Sequence, residues 1–376
     1  MNKFLVACGG TGGHLAPGIA LAQALMARGH KCELVISQKK VDQRLVAKYP
    51  ELTFHASPSA PFSLWPTGAA RFFWQQWKGW LFNRRLLKKK EIEVVVGFGG
   101  FGCVGVALAC FTGRVPLVLH EANRVPGRTV RFFHHLPRRL YLPQGVRIRG
   151  VDLQIVRYFG LPVRKEFKKI PAAQAREKLG LDPNRKTLVV LGGSQGAKAL
   201  NEWVLDKLDV LSLEGIQVYC LSGMARAGFE PELLASREGE EVKARFVDFS
   251  DQMPEILSAA DLVVSRAGAG TIAELIRCRT PSILVPFPYA ADNHQLENAR
   301  FMEQQGGALL VEQDYLQNLH KEVLDVLFND WLLQKLRSNL KCIDRPETLD
   351  KMVADLEGLA AEELRQRRLR NLEQNA

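Results

Sequence analysis

At 376 residues the chain is longer than one hydrophobic core usually serves, and its 47% hydrophobic content is enough for two, so two domains are expected. The formal net charge of +11 is unevenly placed: residues 1–163 carry 23 Lys and Arg against 7 Asp and Glu, whereas residues 164–376 carry 28 against 33, so the first half should seek an anionic partner. Seven scattered cysteines without a C-x-x-C pair argue against disulfides or a zinc site and for reduced core thiols in a cytosolic protein.

The first apolar stretch, residues 3–8, is only a strand long before glycines break it, which does not fit a signal peptide. It runs into Gly9-Gly10-Thr11-Gly12-Gly13-His14, and a helix over 15–28 follows, stopped by Gly29. Such a turn aims backbone N–H groups and a helix N-terminus at negative charge, with His14 in the first turn. A dinucleotide fingerprint does not fit: counted from Gly10, its last glycine falls on Leu15, and the strand over 31–36 is followed by Ser37 instead of an acid. A plain tight turn with a helix-facing histidine explains this run, taken alone, about as well as a ligand site.

Between Leu52 and Lys90 there is no Asp or Glu, yet Arg71, Lys78, Arg84, Arg85, Lys88, Lys89 and Lys90 fall there with four of the six tryptophans. On a helix, Phe73, Trp77, Trp80 and Leu87 form one stripe, flanked by Trp74 and Leu81 and bordered by Arg71, Lys78 and Arg85. That is the pattern of an interfacial helix on anionic lipid, with an aromatic core face and a solvated basic rim as the alternative. No nucleic-acid motif accompanies it, so a nucleic-acid partner is not expected. Val94 to Gly113 is uncharged for 20 residues, long enough for a membrane span, but its six glycines divide it into a strand over 94–97, a glycine-rich loop and a helix from Cys103. A strand over 116–120 follows.

A join is expected near Gly160-Leu161-Pro162-Val163. Beyond it, strands over 187–191, 217–222, 244–248, 262–265, 282–286 and 308–312 alternate with helices, which gives an α/β fold class: two doubly wound parallel sheets, one per domain, facing across a cleft. The expected domains are 1–163, 164–340 and a set of helices over 341–376 that packs back toward the N-terminal domain and ends in a charged tail. Gly192-Gly193-Ser194-Gln195-Gly196-Ala197-Lys198 lacks the Gly-Lys-Ser/Thr of a P-loop, so ATP hydrolysis is not supported. A second glycine turn reads Arg266-Ala267-Gly268-Ala269-Gly270-Thr271, with Glu274 one turn on. Two such turns in one domain suggest a diphosphate on helix N-termini and Glu274 on ribose hydroxyls; a first-turn acid favoured by the helix dipole is the simpler reading. Asp292-Asn293-His294-Gln295 suits sugar hydroxyls or, more simply, helix capping. No Asp-x-Asp occurs, so the usual carboxylate pair bridging a metal ion to a diphosphate is missing, and no metal or other cofactor is expected.

In this order, the runs Gly9–His14, Gly97-Phe98-Gly99-Gly100, His120-Glu121-Ala122-Asn123, Pro162-Val163-Arg164, Gly192–Ala197, Arg266-Ala267-Gly268-Ala269 and Asp292–Gln295 resemble the MurG family of glycosyltransferases, family 28 with the GT-B fold. The resemblance spans roughly residues 3–345. It implies inverting, metal-independent transfer of N-acetylglucosamine (GlcNAc) from UDP-GlcNAc to lipid I, forming lipid II for peptidoglycan, with the acceptor on the N-terminal domain and the donor mainly on the C-terminal one. Ser194 and Gln195 would lie near the diphosphate, Glu274 on the ribose and Ser250 beside the uracil. Asn123 and Arg164 would help hold the donor, Gln295 and His294 would contact the GlcNAc hydroxyls, and Thr11, Gly12 and Gly13 would lie where donor and acceptor meet. It also implies a peripheral place on the cytoplasmic face of the bacterial inner membrane, among cell-wall and division machinery.

The acceptor hydroxyl must lose a proton as it attacks. His14 is the candidate base because imidazole titrates near neutrality; Glu121 is the second candidate, and a plain donor role for His14 is the alternative. Phe101-Gly102-Cys103-Val104-Gly105 stands where the family usually has Tyr-x-Ser-Gly-Pro, Ala122 replaces a usual Gln and Leu161 a common Asn, so the acceptor is less defined than the donor. A related transferase with another acceptor, a UDP-GlcNAc epimerase and a silent nucleotide-binding scaffold are the competing readings.

Overall fold

The computed structural model describes residues 1–9, 12–38, 46–63, 65–193, 196–223 and 232–374. The chain divides into two units, Met1–Arg164 with Arg345–Ala376, and Lys165–Asp344.

In the first unit the order is β1 Lys3–Ala7, α1 Gly12–Ala27, β2 Lys31–Ile36, β3 Thr53–Ala56, α2 Pro66–Lys90, β4 Val94–Gly97, α3 Gly102–Gly113, β5 Leu117–His120, α4 Arg128–Phe133, β6 Arg139–Leu142 and β7 Val156–Tyr158. Its described strands form one parallel sheet in the order β3-β2-β1-β4-β5-β6-β7. Alternation along β1 shows why the sheet is covered on both sides. Phe4, Val6 and Cys8 face α1 and a C-terminal helix, Thr348–Gln374, whereas Leu5 and Ala7 face α2, α3 and α4. A strand buried on both faces reads as a continuous apolar run, which is why β1 and β4 are visible in the sequence. β3, β6 and β7 are not, because they are three or four residues long and mix polar or charged with apolar positions.

The C-terminal helix is held within this unit by Met352, Val353, Leu356 and Leu359 in the core. Asp355 accepts from the Tyr141 hydroxyl (2.7 Å) and from Arg157 (3.2 Å).

The second unit continues with α5 Ala172–Lys178, β8 Thr187–Leu191, α6 Lys198–Asp206, α7 Leu208–Leu213, β9 Gln217–Leu221, β10 Glu232–Ala235, β11 Glu241–Val247, α8 Met253–Ala259, β12 Leu262–Ser265, α9 Ala269–Cys278, β13 Ser282–Leu284, α10 His294–Gln304, β14 Leu309–Leu310, α11 Leu319–Leu327 and α12 Asp330–Ile343. The described order is β10-β11-β9-β8-β12-β13-β14, parallel except for β10, which runs antiparallel to β11. All seven cysteines are free, and six are buried. Desolvation pushes the Cys103, Cys220 and Cys278 thiols up to about 12, so they are inert packing groups.

Candidate functional site

In an open doubly wound sheet, ligands collect outside the carboxyl ends of strands where the chain's winding reverses. In the first unit that point lies between β1 and β4, in register at Ala7 and Gly97; in the second it lies between β8 and β12, in register at Leu191 and Ser265. The four glycine-rich loops of the sequence leave these four strand ends.

The helix α1 begins at Gly12, so Gly12, Gly13 and His14 form its first turn, where backbone N–H groups lack partners inside the helix. Thr11 lies outside the described residues. The half-buried His14 ring rests on the loop after β4: a Cβ built on Gly100 would stand 3.2 Å from its Cε1, and Gly99 and Gly100 hold φ of 86° and 71°. Only glycine gives that left-handed backbone and that close a ring contact without cost. Near His14 lies His120, 1% exposed, its ring centroid 5.0 Å from Phe98 and its Nε2 3.4 Å from the Gly160 carbonyl oxygen. Burial, assisted by the nearby His14, lowers the His120 pKa from 6.5 to about 4, so it is neutral at physiological pH. His120 belongs to a run singled out in the sequence, but an apolar strand end gives no sign that its ring turns inward next to His14.

Glu121 is buried as well, and desolvation raises its pKa. Its Oε1 accepts from the backbone N–H of Ala122 (2.9 Å) and of Asn123 (2.8 Å) and from Asn123 Nδ2 (3.2 Å), while Oε2 accepts from Gly127 N–H at 2.6 Å. The carboxylate thus organises the loop 121–127, and acting as a base would mean surrendering those bonds. Asn123 is fixed by the same carboxylate. Arg164 Nη1 donates to the Tyr49 hydroxyl at 2.9 Å, which anchors this guanidinium at the end of the first unit.

On the second unit, Ser194 and Gln195 lie outside the described residues, but the backbone around them shows how the loop is built. Gly196 holds φ of 76°, and a Cβ there would come within 2.7 Å of the Ser222 carbonyl oxygen, so the loops after β8 and β9 cross backbone to backbone. Asn201 Nδ2 donates to the same carbonyl at 2.8 Å. Ser250 is half-buried, and its Oγ accepts from Gln252 N–H at 3.1 Å, ahead of α8.

Gly268 is the N-cap residue of α9, extended and without a side chain over the helix end, so the first-turn amides of Ala269, Gly270 and Thr271 lie at an open, positive helix terminus. Glu274 is half-buried one turn further on. Arg266 braces this turn by donating to the Val285 (3.2 Å) and Pro286 (3.1 Å) carbonyls and to Gln313 Oε1 (2.6 Å), while Asn298 Nδ2 donates to the Ala267 carbonyl at 3.1 Å. Asp292 and Asn293 both adopt left-handed backbone, φ 53° and 52°, and Asn293 makes no side-chain cap to α10. Helix capping therefore does not explain that residue, and strained backbone of this kind collects at ligand sites. His294 Nδ1 donates to the Ala291 carbonyl at 2.8 Å, and Gln295 Oε1 accepts from Phe287 N–H at 3.0 Å.

The aromatic stretch folds as α2, and the structure corrects its stripe. Leu87 is 5% exposed in the core, and Trp80 turns toward α3, its Nε1 donating to Thr112 Oγ1 at 2.9 Å. Phe73, Trp74 and Trp77 instead point outward, 66%, 53% and 47% exposed, with the two tryptophans stacked at 5.1 Å and Lys78 over Trp74. The buried face carries amides: Gln76 Nε2 donates to the Ala60 and Phe101 carbonyls, and Asn83 Nδ2 to Ser57 Oγ and the Gly79 carbonyl. The helix thus buries two amides beside Leu86 and Leu87 and leaves Phe73, Trp74 and Trp77 exposed. Beside it runs a groove of about 600 Å³ lined by Leu81, Phe82 and Leu86 together with Lys78, Arg85 and Lys89; Arg84 lies over Trp80. Among the described residues no helix is long and apolar enough to cross a membrane.

Comparison with known proteins agrees with this anatomy. Residues 4–142 match the glycosyltransferase family 28 N-terminal domain and residues 187–343 its C-terminal domain. A UDP-N-acetylglucosamine--N-acetylmuramyl-(pentapeptide) pyrophosphoryl-undecaprenol N-acetylglucosamine transferase of Opitutus terrae is 51% identical over 95% of both chains. Its namesake of Agrobacterium fabrum is 34% identical over 96% of both. Among solved structures, Acinetobacter baumannii MurG superposes with a TM-score of 0.71 at 21% identity, covering 95% of this chain and 99% of that one, and the calicheamicin glycosyltransferase CalG4 gives 0.66 at 12% over 95% and 98%. At those identities the structures speak for the fold alone, which is GT-B. On the sequence matches, with both family 28 domains present in order, the chain belongs to the MurG family of family 28 glycosyltransferases.

Proposed function

We propose that the chain transfers GlcNAc from UDP-GlcNAc to the 4-hydroxyl of N-acetylmuramic acid in lipid I, forming lipid II with inversion at the anomeric carbon. The observation that carries this reading is the 51% identity, over 95% of both chains, to a transferase named for that donor and acceptor. The first unit takes the acceptor and the second the donor. His14 removes the proton of the attacking hydroxyl: it stands in the first turn of α1, where the helix dipole favours developing negative charge, and its neighbour His120 is kept uncharged by burial, so it adds no positive charge to oppose proton uptake. Glu121 and Asn123 act together as the brace of the loop beneath the reacting groups.

As the anomeric carbon–oxygen bond breaks, negative charge grows on the UDP diphosphate. The N-terminus of α9 and the glycine loop containing Ser194 and Gln195 receive it, and preorganised donors of this kind stabilise the charge that develops in the transition state. Glu274 holds the ribose, Ser250 the uracil edge, Arg164 the donor, and His294 and Gln295 the sugar hydroxyls. The helix α2 places Phe73, Trp74 and Trp77 in an anionic membrane surface, with Leu81, Arg84 and Arg85 continuing the contact, on the cytoplasmic face of the inner membrane where lipid-linked acceptor and the division machinery would be met.

The test is transfer of labelled GlcNAc to a lipid I analogue in EDTA, comparing wild type with His14→Ala. The expected result is EDTA-resistant transfer by the wild type and at least a hundredfold loss in the variant with UDP-GlcNAc affinity retained. A folded wild type that binds UDP-GlcNAc but does not glycosylate lipid I would overturn the acceptor assignment.

A further inference from the structure

We propose that Tyr289, on the turn that follows β13, is the stacking surface for the pyranose ring of the donor's GlcNAc and sets its orientation; this rests on the donor-site reading above. Tyr289 is 83% exposed on a segment that is otherwise held by several hydrogen bonds. Pro286 and Pro288 restrict the turn, Ala290 N–H donates to the Phe287 carbonyl at 3.1 Å, and Arg266 donates to the Pro286 carbonyl while its guanidinium lies 5.4 Å from the Phe287 ring centroid. Phe287 in turn meets Tyr289 edge to face at 5.6 Å, so the exposed ring has a defined orientation.

The turn and the sugar-binding candidates are one mechanical piece. Gln295 accepts from Phe287 N–H at 3.0 Å, so the side chain proposed above for the sugar hydroxyls also fixes the backbone two residues before Tyr289. An amide and an exposed ring carried by one hydrogen-bonded turn suit the two parts of a pyranose: hydroxyls at the rim, and a face of C–H groups whose partial positive charge suits the negative face of an aromatic ring. A nucleotide without the sugar would reach the α9 terminus and Glu274 and leave Tyr289 untouched.

The experiment measures calorimetric affinity for UDP-GlcNAc and for UDP with wild type, Tyr289→Ala and Tyr289→Phe, together with transfer kinetics. The expected result is a threefold to tenfold weakening of UDP-GlcNAc binding by Tyr289→Ala, unchanged UDP affinity, and recovery in Tyr289→Phe. Unchanged UDP-GlcNAc binding, an equal loss for UDP, or an effect confined to the acceptor KM would each overturn it. The binding arms need no acceptor, so a wild type that fails to glycosylate lipid I would refute the acceptor assignment while leaving this inference decided by the two affinities.

Discussion

The buried His120 offers a quantitative check on the centre of the first unit. Its pKa falls from 6.5 to about 4 because burial disfavours the imidazolium, whereas an unfolded chain would protonate it near 6.5. A histidine with a depressed folded pKa makes the unfolded state bind the extra proton between those two values, so stability is full above pH 7 and is lost as pH falls toward 4. The whole gap corresponds to about 3 kcal/mol, and about 2 kcal/mol of it falls between pH 7.5 and pH 5. The assay is urea unfolding at those two pH values for wild type and His120→Gln, which cannot titrate. Other groups add their own pH dependence, including Glu121, whose raised pKa acts in the opposite direction, but they are common to both proteins and largely cancel in the difference. The wild type should lose about 2 kcal/mol more than the variant on acidification. Equal losses in the two proteins would refute the claim that His120 is neutral and buried beside His14.

Gly100→Ala should cut kcat by more than tenfold with UDP affinity unchanged, because the new Cβ would sit 3.2 Å from the His14 ring on a left-handed backbone; steady-state kinetics beside UDP calorimetry checks it. Gly196→Ala should abolish UDP-GlcNAc binding by forcing apart the crossing of the loops after β8 and β9, measured by calorimetry, with the fold of the first unit unaffected. Replacing Phe73, Trp74 and Trp77 together by Ser should leave the melting temperature and transfer to a soluble acceptor near wild type while eliminating flotation with anionic vesicles, since these rings are exposed and the buried face of α2 is untouched. Asn298→Ala leaves the Ala267 carbonyl without its side-chain donor and should destabilise the second unit by about 1–3 kcal/mol, with weaker UDP binding measured in parallel.

The local pattern of residues determined much of this. Strands such as Phe4–Val6 and Val94–Val96 are buried on both faces and therefore appear as unbroken apolar runs, and the glycine turns after them mark where backbone must approach a ligand or another loop. That was enough for the fold class and for the four loops at the switch points. The edge strands Thr53–Ala56 and Val156–Tyr158 were invisible because edge positions demand neither length nor continuous burial. Helical spacing alone put Trp80 and Leu87 with Phe73 and Trp77, whereas contact with α3 and the sheet decides which side of α2 is buried, and it chose Gln76 and Asn83 for the inside because the Ala60 and Phe101 carbonyls and Ser57 wait there as partners. The same holds for Glu121 and His120: a carboxylate and an imidazole at a strand end read as chemistry in one dimension. Only the folded chain closes four N–H groups onto the first and buries the second, because those partners and that apolar wall come from residues distant in sequence or brought round by a turn.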